Sequence, residues 1–494
     1  MRVFLVEPYK VPWEMMGDVI APPLGLAQLA ACLEGAHIPV EILDANALGI
    51  GAERLGAAIA QADADLIGMT VCTPYVPEIG HAVRIARQAA PQATIVLGGP
   101  HVTFTAEETL RAIPEADVVV RGEGDQILVD LVRALEAGDG LERVPGVNFR
   151  RNGQVVETPF PPPLDVTKLP MPAFHLLPME RYRFPALGGP FATVQASRGC
   201  PFKCTFCSEW PFWRGGWRPF EPEMIVEQLD LLVNRYGRRN IWFGDDCFNV
   251  GRDHVAAICE GILRRGIDVR WYFQGRADLL VRHQDLLALM HRAGNRMVQI
   301  GIEASSDEQR DELNKQLSTE TVKQAVRLLR QHDIVCQGMI IVGMPSDSPR
   351  TFQHKVGFVK WLGVDHPIFT LYTPFPGTPA FDEAVAQGWL EFPADYARYD
   401  MTHALIPTRH MTRRQVWIYT GWAFASFYFH PLKLVRGLFS RNKWRRLVWR
   451  RMVSYIGKQL ARSLVPRFLP SRAELIGKAT AVSDSPETQS SKIG

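Results

Sequence analysis

Apolar residues in the first 122 positions come in short runs: RVFLVEP (2–8), VEILDA (40–45), LIGMTV (66–71), TIVLGG (94–99) and VVVRG (118–122). Between them apolar positions recur at helical spacing, as in LGLAQLAACLE and EIGHAVRIARQAA. A strand buried on both faces reads as a continuous apolar run, and strands alternating with amphipathic helices predict a parallel sheet covered on both sides. Five such repeats predict a flavodoxin-like, doubly wound α/β domain over residues 1–140, with ligands bound beyond the carboxyl ends of its strands.

The rhythm then breaks. GVNFRRNGQVVE (146–157) reads as a hairpin turned by Asn-Gly, and PFPPPLDVTKLPMP as a proline-rich linker, so 141–190 joins two units. A second series follows over 191–376, with strands at 191–197, 240–246, 269–276, 296–303, 335–345 and 366–374. Six βα repeats are too few to close an eight-stranded barrel, so an open, partial (β/α)6 barrel is expected, with its chemistry at the strand C-terminal ends. Residues 377–480 read as a helical, basic C-terminal region, with twelve Lys or Arg and no Asp or Glu in 433–472, and 481–494 as a disordered tail.

Composition adds little until the cysteines are placed. With 22% charged residues and a net charge of +3, the 494-residue chain is neither disordered nor strongly polarised. MRVFLVEP has no secretory pattern and no run of eighteen apolar residues occurs, so a cytoplasmic chain is expected. Five of the eight cysteines stand singly in apolar segments and read as small core residues. Cys200, Cys204 and Cys207 are packed into eight residues, which in a reducing compartment points to metal or redox chemistry.

The spacing C-x-x-x-C-x-x-C right after the first barrel strand lets three thiolates hold one iron–sulfur cube from a single loop, leaving a fourth iron open. A structural zinc site would show four Cys or His ligands at paired spacings, and the nearest histidines, His175 and His254, lie far off in sequence. These residues resemble the radical SAM superfamily. The resemblance implies a [4Fe-4S] cluster on Cys200, Cys204 and Cys207 as catalytic and metal residues, with S-adenosylmethionine (SAM) chelating the open iron. Reductive cleavage then gives a 5′-deoxyadenosyl radical, fed by a low-potential electron donor such as flavodoxin or ferredoxin. It further implies Phe206 near the adenine, Gly244, Asp245 and Asp246 toward the SAM amino group, Arg276 toward its carboxylate, and Glu303 as a polar contact. GMIIVGMP (338–345) would lie beside the adenine.

The first domain resembles the cobalamin-binding domain that precedes many such barrels. Asp44-Ala45-Asn46-Ala47-Leu48-Gly49 keeps the Asp and Gly of the family's D-x-H-x-x-G motif and puts Asn46 where a cobalt-ligating His would stand. Gly98 and Gly99, and Gly122, Glu123 and Gly124, end the fourth and fifth strands and are the other expected cobalamin contacts. The aromatic stretch Trp210–Trp217 resembles the branch that includes the anaerobic cyclase of bacteriochlorophyll synthesis, and suits either a substrate wall or core packing. The basic 433–472 segment suits an anionic membrane surface, a nucleic acid or a helix covering the barrel; no nucleic-acid module is read elsewhere. The leading expectation is a cobalamin-dependent C-methyltransferase acting on a small molecule with an unactivated carbon. Its rivals are a radical SAM cyclase or ring-rearranging enzyme on a tetrapyrrole, lipid or natural-product scaffold, and a non-catalytic cobalamin or redox sensor.

Overall fold

The computed structural model describes residues 1–11, 19–184, 188–392 and 394–464; the expected disordered tail lies outside them. The first unit runs β1 (Val3–Glu7), α1 (Leu24–Gly35), β2 (Val40–Asp44), α2 (Ala45–Leu48), α3 (Ala52–Ala62), β3 (Leu66–Thr70), α4 (Val76–Ala89), β4 (Thr94–Gly98), α5 (Pro100–Ala112), β5 (Val118–Val120) and α6 (Gly124–Ala137). The parallel strand order is β2-β1-β3-β4-β5, the doubly wound arrangement expected. Alternation along each strand feeds two cores. Phe4 and Val6 of β1 face α3, α4 and α5, whereas Val3 and Leu5 face α1 and α6.

The Asn-Gly hairpin forms as β6 (Val147–Arg151) and β7 (Gln154–Glu157), with Asn152 and Gly153 both at positive φ (51° and 78°). It does not stand apart as part of a linker: β6 pairs antiparallel with β5 and extends the first sheet to seven strands.

The second unit holds β8 (Arg183–Phe184), β9 (Gly189–Val194), β10 (Ser197–Arg198), α7 (Glu209–Phe212), β11 (Arg218–Pro219), α8 (Pro222–Asp230), β12 (Asn240–Phe243), α9 (Arg252–Arg265), β13 (Arg270–Gly275), α10 (Ala277–Arg282), α11 (Leu286–Arg292), β14 (Asn295–Glu303), α12 (Asp307–Glu312), α13 (Thr319–Gln331), β15 (Val335–Val342), α14 (Pro349–Leu362) and β16 (His366–Leu371). Six parallel strands in sequential order, β9-β12-β13-β14-β15-β16, form the open barrel sheet, with β8 antiparallel on one edge. β10 and β11 make a separate two-stranded ribbon around the cysteine loop.

After α15 (Pro379–Ala386), the C-terminal region forms α16 (Arg413–Tyr428), α17 (Pro431–Leu438) and α18 (Lys443–Leu464). α16 starts in a capping box of Thr412 and Gln415 and packs on α14 and the edge strand β16. α18 closes the other end of the barrel: Trp449 is buried against Phe427 and Tyr428, and Arg445 pairs with Asp365 at 2.7 Å.

Candidate functional site

The cysteine loop leaves β9 through a turn that only glycine fits. Gly199 takes φ +86°, and a Cβ there would meet the Gly216 carbonyl oxygen at 2.6 Å. Its N–H donates to Asp246 at 3.0 Å, while Asp245 accepts from the Ala196 N–H (3.0 Å) and from the Ser197 hydroxyl. Further along, the Thr205 N–H donates to the Leu313 carbonyl (3.1 Å), Asn314 donates to Lys203 (2.7 Å), and the Ala380 N–H donates to Thr205 (3.0 Å). The loop is thus fastened to the ends of three other elements.

Among the described residues no three His, Cys, Asp or Glu side chains are drawn into a finished metal-ligand set, but the donor chemistry at the loop fits a thiolate-held cluster. Cys247, which the sequence suggested was a core residue, hydrogen-bonds Cys200, and with the nearby Lys315 and Arg276 charges this lowers the Cys200 thiol to about 7 despite burial. Burial raises Cys204 and Cys207, as it does for any thiol kept from water. Lys315, which no sequence pattern singled out, lies buried against Glu303 at 2.9 Å. Burial alone would lower its ammonium, but Glu303 and the Cys204 thiol raise it above its ordinary value. Three anionic thiolates need such compensation in a dry site.

The expected SAM contacts gather around this loop. Arg276 stacks over Phe202 (3.7 Å) and donates to Asp278 (3.0 Å) and the Lys315 carbonyl (2.9 Å), so its guanidinium is largely occupied. Glu303 closes β14 at φ +61°, beside a break in the β14–β15 register; a non-glycine residue held there is a strained position of the kind found at ligand sites. Asp246 and Glu209 form a buried carboxylate pair. Burial, then the neighbouring Glu209 carboxylate, pushes Asp246 well above its ordinary value, and burial raises Glu209 as well. Burial pushes Asp245 up to about 7. Phe206 packs in an apolar cluster with Leu313, Ile341, Met344 and Tyr372, the last turn of the GMIIVGMP strand among them.

Facing the cysteine loop is a cavity of about 370 Å³ between the two sheets. On the first unit its walls come from the ends of β3, β4 and β5 and the N-termini of α1 and α6. Gly98, Gly99, Gly122, Glu123 and Gly124 line it, and Gly244 borders it from the barrel. Gly99 takes φ +105° with the space of its missing Cβ filled by Thr70 Oγ1 (2.8 Å) and the Val71 backbone (3.0 Å), which lets the β4 turn pack closely on the end of β3. The barrel side is built from Thr193, Gln195, Arg198, Phe212 and Trp213, on either side of the cysteine triad. Glycine edges and apolar walls suit the flat, apolar face of a corrin. No histidine lines the cavity among the described residues.

The Asp44–Gly49 segment is not in that lining. Asp44 caps α2 through the Ala47 N–H (2.8 Å) and accepts from the Tyr182 hydroxyl (2.8 Å); Asn46 accepts from the Lys10 N–H (3.3 Å); Gly49 ends α2 at φ +65°. β2 is the outer strand of the sheet, so its tip lies away from the ends of β4 and β5.

A charge network not foreseen from the sequence crosses the cavity floor. Arg198 forks onto Asp125 (2.8 and 2.9 Å) and reaches Glu123 (3.0 Å), which also takes Arg218 (2.8 Å). Arg198, Asp125 and Glu123 are each at least 90% buried. Burial would lower Arg198, but the carboxylates, Asp125 first, hold it above its ordinary value. The only local signal was a cation and two acids beside glycines.

Comparison with known proteins agrees with this geometry. The B12 binding domain profile matches residues 18–132 and the Radical SAM superfamily profile residues 194–359. An uncharacterized methyltransferase of Pyrococcus horikoshii is 32% identical over 445 residues, 90% of this chain and 95% of the relative. The anaerobic magnesium-protoporphyrin IX monomethyl ester cyclase of Cereibacter sphaeroides is 30% identical over 84% of this chain and 68% of its own. The radical SAM methyltransferase TsrM of Kitasatospora setae, solved with cobalamin and a [4Fe-4S] cluster, shares the fold, with a TM-score of 0.72, 20% identity, and 93% of this chain and all of its own covered. With both profiles matched and a 32%-identical relative aligned over nine-tenths of its length, the chain belongs to the cobalamin-binding radical SAM enzymes.

Proposed function

We propose that this radical SAM enzyme is a methyltransferase that places a methyl group on an unactivated carbon of a small molecule. The observation that carries the reading is the shared wall: residues just before and just after Cys200–Cys207 line the cavity that fits cobalamin. Bound there, the cluster would supply the electron that cleaves SAM to a carbon radical, and cobalamin would carry the methyl group. Cys200, Cys204 and Cys207 would hold the cluster. Lys315 and Arg276 offset the thiolate charge, and Glu303, Gly244, Asp245 and Asp246 would receive SAM. Gly98, Gly99, Gly122, Glu123 and Gly124 would lie under the corrin; Asp44, Asn46 and Gly49 would support β2 rather than touch it. A low-potential flavodoxin or ferredoxin as donor, and a peripheral membrane contact within 433–472, belong to the same proposal.

The relative from Cereibacter favours a second reading, oxidative cyclisation with the same cofactors. Anaerobic reconstitution with iron, sulfide and hydroxocobalamin, then SAM and a strong reductant, separates the readings by products. 5′-Deoxyadenosine together with S-adenosylhomocysteine supports methyl transfer. 5′-Deoxyadenosine alone, with cobalamin bound, favours cyclisation or rearrangement. Neither product from a protein with an intact cluster refutes the enzyme.

A further inference from the structure

α16 buries one apolar face and leaves large apolar side chains exposed on the other, with Arg413, Arg414 and Gln415 in its first turn. Its inner face, with Val416, Thr420, Ala423 and Phe427, is buried against the barrel. Its outer face carries Arg414, Ile418 and Trp422 at four-residue spacing with Trp417 beside them. Trp417 is 50% exposed, Ile418 49% and Trp422 40%. α17 continues the surface with Leu432, Val435 and Phe439, exposed by 66%, 57% and 77%, and Arg436 on the same face. Large apolar side chains exposed together on a helix face mark a docking site.

The helices themselves carry charge of one sign, and the acids of other elements that reach them, Glu391, Asp333 and Asp365, are paired with Arg413 and Arg445. No Asp or Glu falls between Met401 and Arg472. Arg414, Arg436, Arg441 and Lys443 are exposed and form no ion pair among the described residues. Exposed aromatic and aliphatic side chains with unpaired basic residues on the same helices match an anionic lipid surface in both components. No described helix is long and apolar enough to cross a membrane, so the match is to a face laid on the bilayer. α18, the most basic stretch, is held to the barrel by its buried Trp449 and by Arg445, which places the apolar face on α16 and α17 instead.

We propose that α16 and α17 form a docking face for an anionic membrane, with Trp417, Ile418, Trp422, Leu432, Val435 and Phe439 entering the interface. This rests on the partner reading above but moves the contact from 433–472 chiefly to α16 and α17, and binding is scored separately from product formation, so either can fail alone. The test is flotation of the full-length, reconstituted enzyme with vesicles of phosphatidylcholine alone or mixed with phosphatidylglycerol. The enzyme is expected to float with the mixed vesicles only, and less at high salt. Trp417→Glu/Trp422→Glu should lower the partition about tenfold or more. Arg436→Gln/Arg441→Gln should lower it about fivefold per charge removed. In both, bound iron, bound cobalamin and 5′-deoxyadenosine formation should stay at the parent level. Absence of binding to anionic vesicles overturns the proposal, as does binding that neither variant weakens. A concentration-dependent dimer that the Trp variants abolish, with no vesicle binding, would assign the face to a second copy of the chain.

Discussion

Arg198→Met tests whether the two sheets are held together by buried charge. The arginine gives Asp125 two bonds and Glu123 one, at 2.8–3.0 Å, in a setting at least 90% shielded from water. Charge-assisted bonds are worth roughly 1.5–3 kcal/mol each, but the loss is capped, because an abandoned carboxylate can take up a proton. At pH 7 that costs about 4 kcal/mol from an ordinary carboxylate value, and at pH 5.5 about 2. Glu123 keeps Arg218 at 2.8 Å, so the cap applies chiefly to Asp125. The variant should therefore lose about 3–4 kcal/mol at pH 7, within the range for breaking one side of a buried pair. Its deficit should shrink as the pH falls, because the variant's folded state then gains the proton more cheaply. Urea denaturation of parent and variant at both pH values measures this, and Arg198→Met/Asp125→Leu should recover most of the loss by removing the stranded charge. A deficit under about 1 kcal/mol, or one equal at both pH values, would refute the reasoning and mark the network as solvent-screened.

Three further outcomes rest on the same packing. Gly99→Ala pushes a Cβ to 2.8 Å from Thr70 Oγ1 at φ +105°; a loss of about 1–3 kcal/mol and reduced cobalamin per chain are expected, read by denaturation and by the absorbance of retained cobalamin. Burial lowers His101 to about 4 and His366 to about 3, so both stay neutral in the fold while the unfolded chain takes up protons below about pH 6.5. Their contribution is complete above that pH and is lost as pH falls toward the folded values, about 2 kcal/mol each by pH 5; a His366→Gln variant should show a flatter denaturation midpoint between pH 5 and 7.5. Cys204→Ala should bind less iron and form no 5′-deoxyadenosine while keeping cobalamin; undiminished SAM cleavage would remove Cys204 from the cluster.

The strands were legible because those buried on both faces leave continuous apolar runs, and the hairpin because Asn152-Gly153 supplies two positive-φ positions. The hairpin's partner was not legible, since nothing local says that β6 completes the edge beside β5. The cysteine spacing marked the loop around which the candidate site is built, because three thiols on one loop are a sequence property. Lys315, Cys247, Arg198 and Asp125 were missed for the opposite reason: each meets its partner only after distant elements have packed. The Asp44–Gly49 resemblance shows how strand order overrides spacing. Its residue types suit a ligand loop, but β2 ends at the outer edge of the sheet, where Asp44 is spent on a helix cap and Tyr182.

The segment from Thr193 to Trp213 bears both on the cavity and on the cysteine loop, and its fixings decide how the two can move. Asp245 and Asp246 hold Ala196, Ser197 and Gly199 on one side, and the β10–β11 ribbon holds Ser197 and Arg198 on another. Arg198 then ties the segment across the cavity to the first turn of α6. A hinge between the sheets would have to break four charge-assisted bonds, three from Arg198 and one from Arg218, in a setting largely shielded from water, a cost far above thermal energy. The separation of a ligand in the cavity from one on the cysteine loop is therefore set by a few residues of fixed chain. Access for different ligands must come from local movement of side chains or loops at the cavity rim, because rotation of one whole unit against the other would sacrifice the network that positions both.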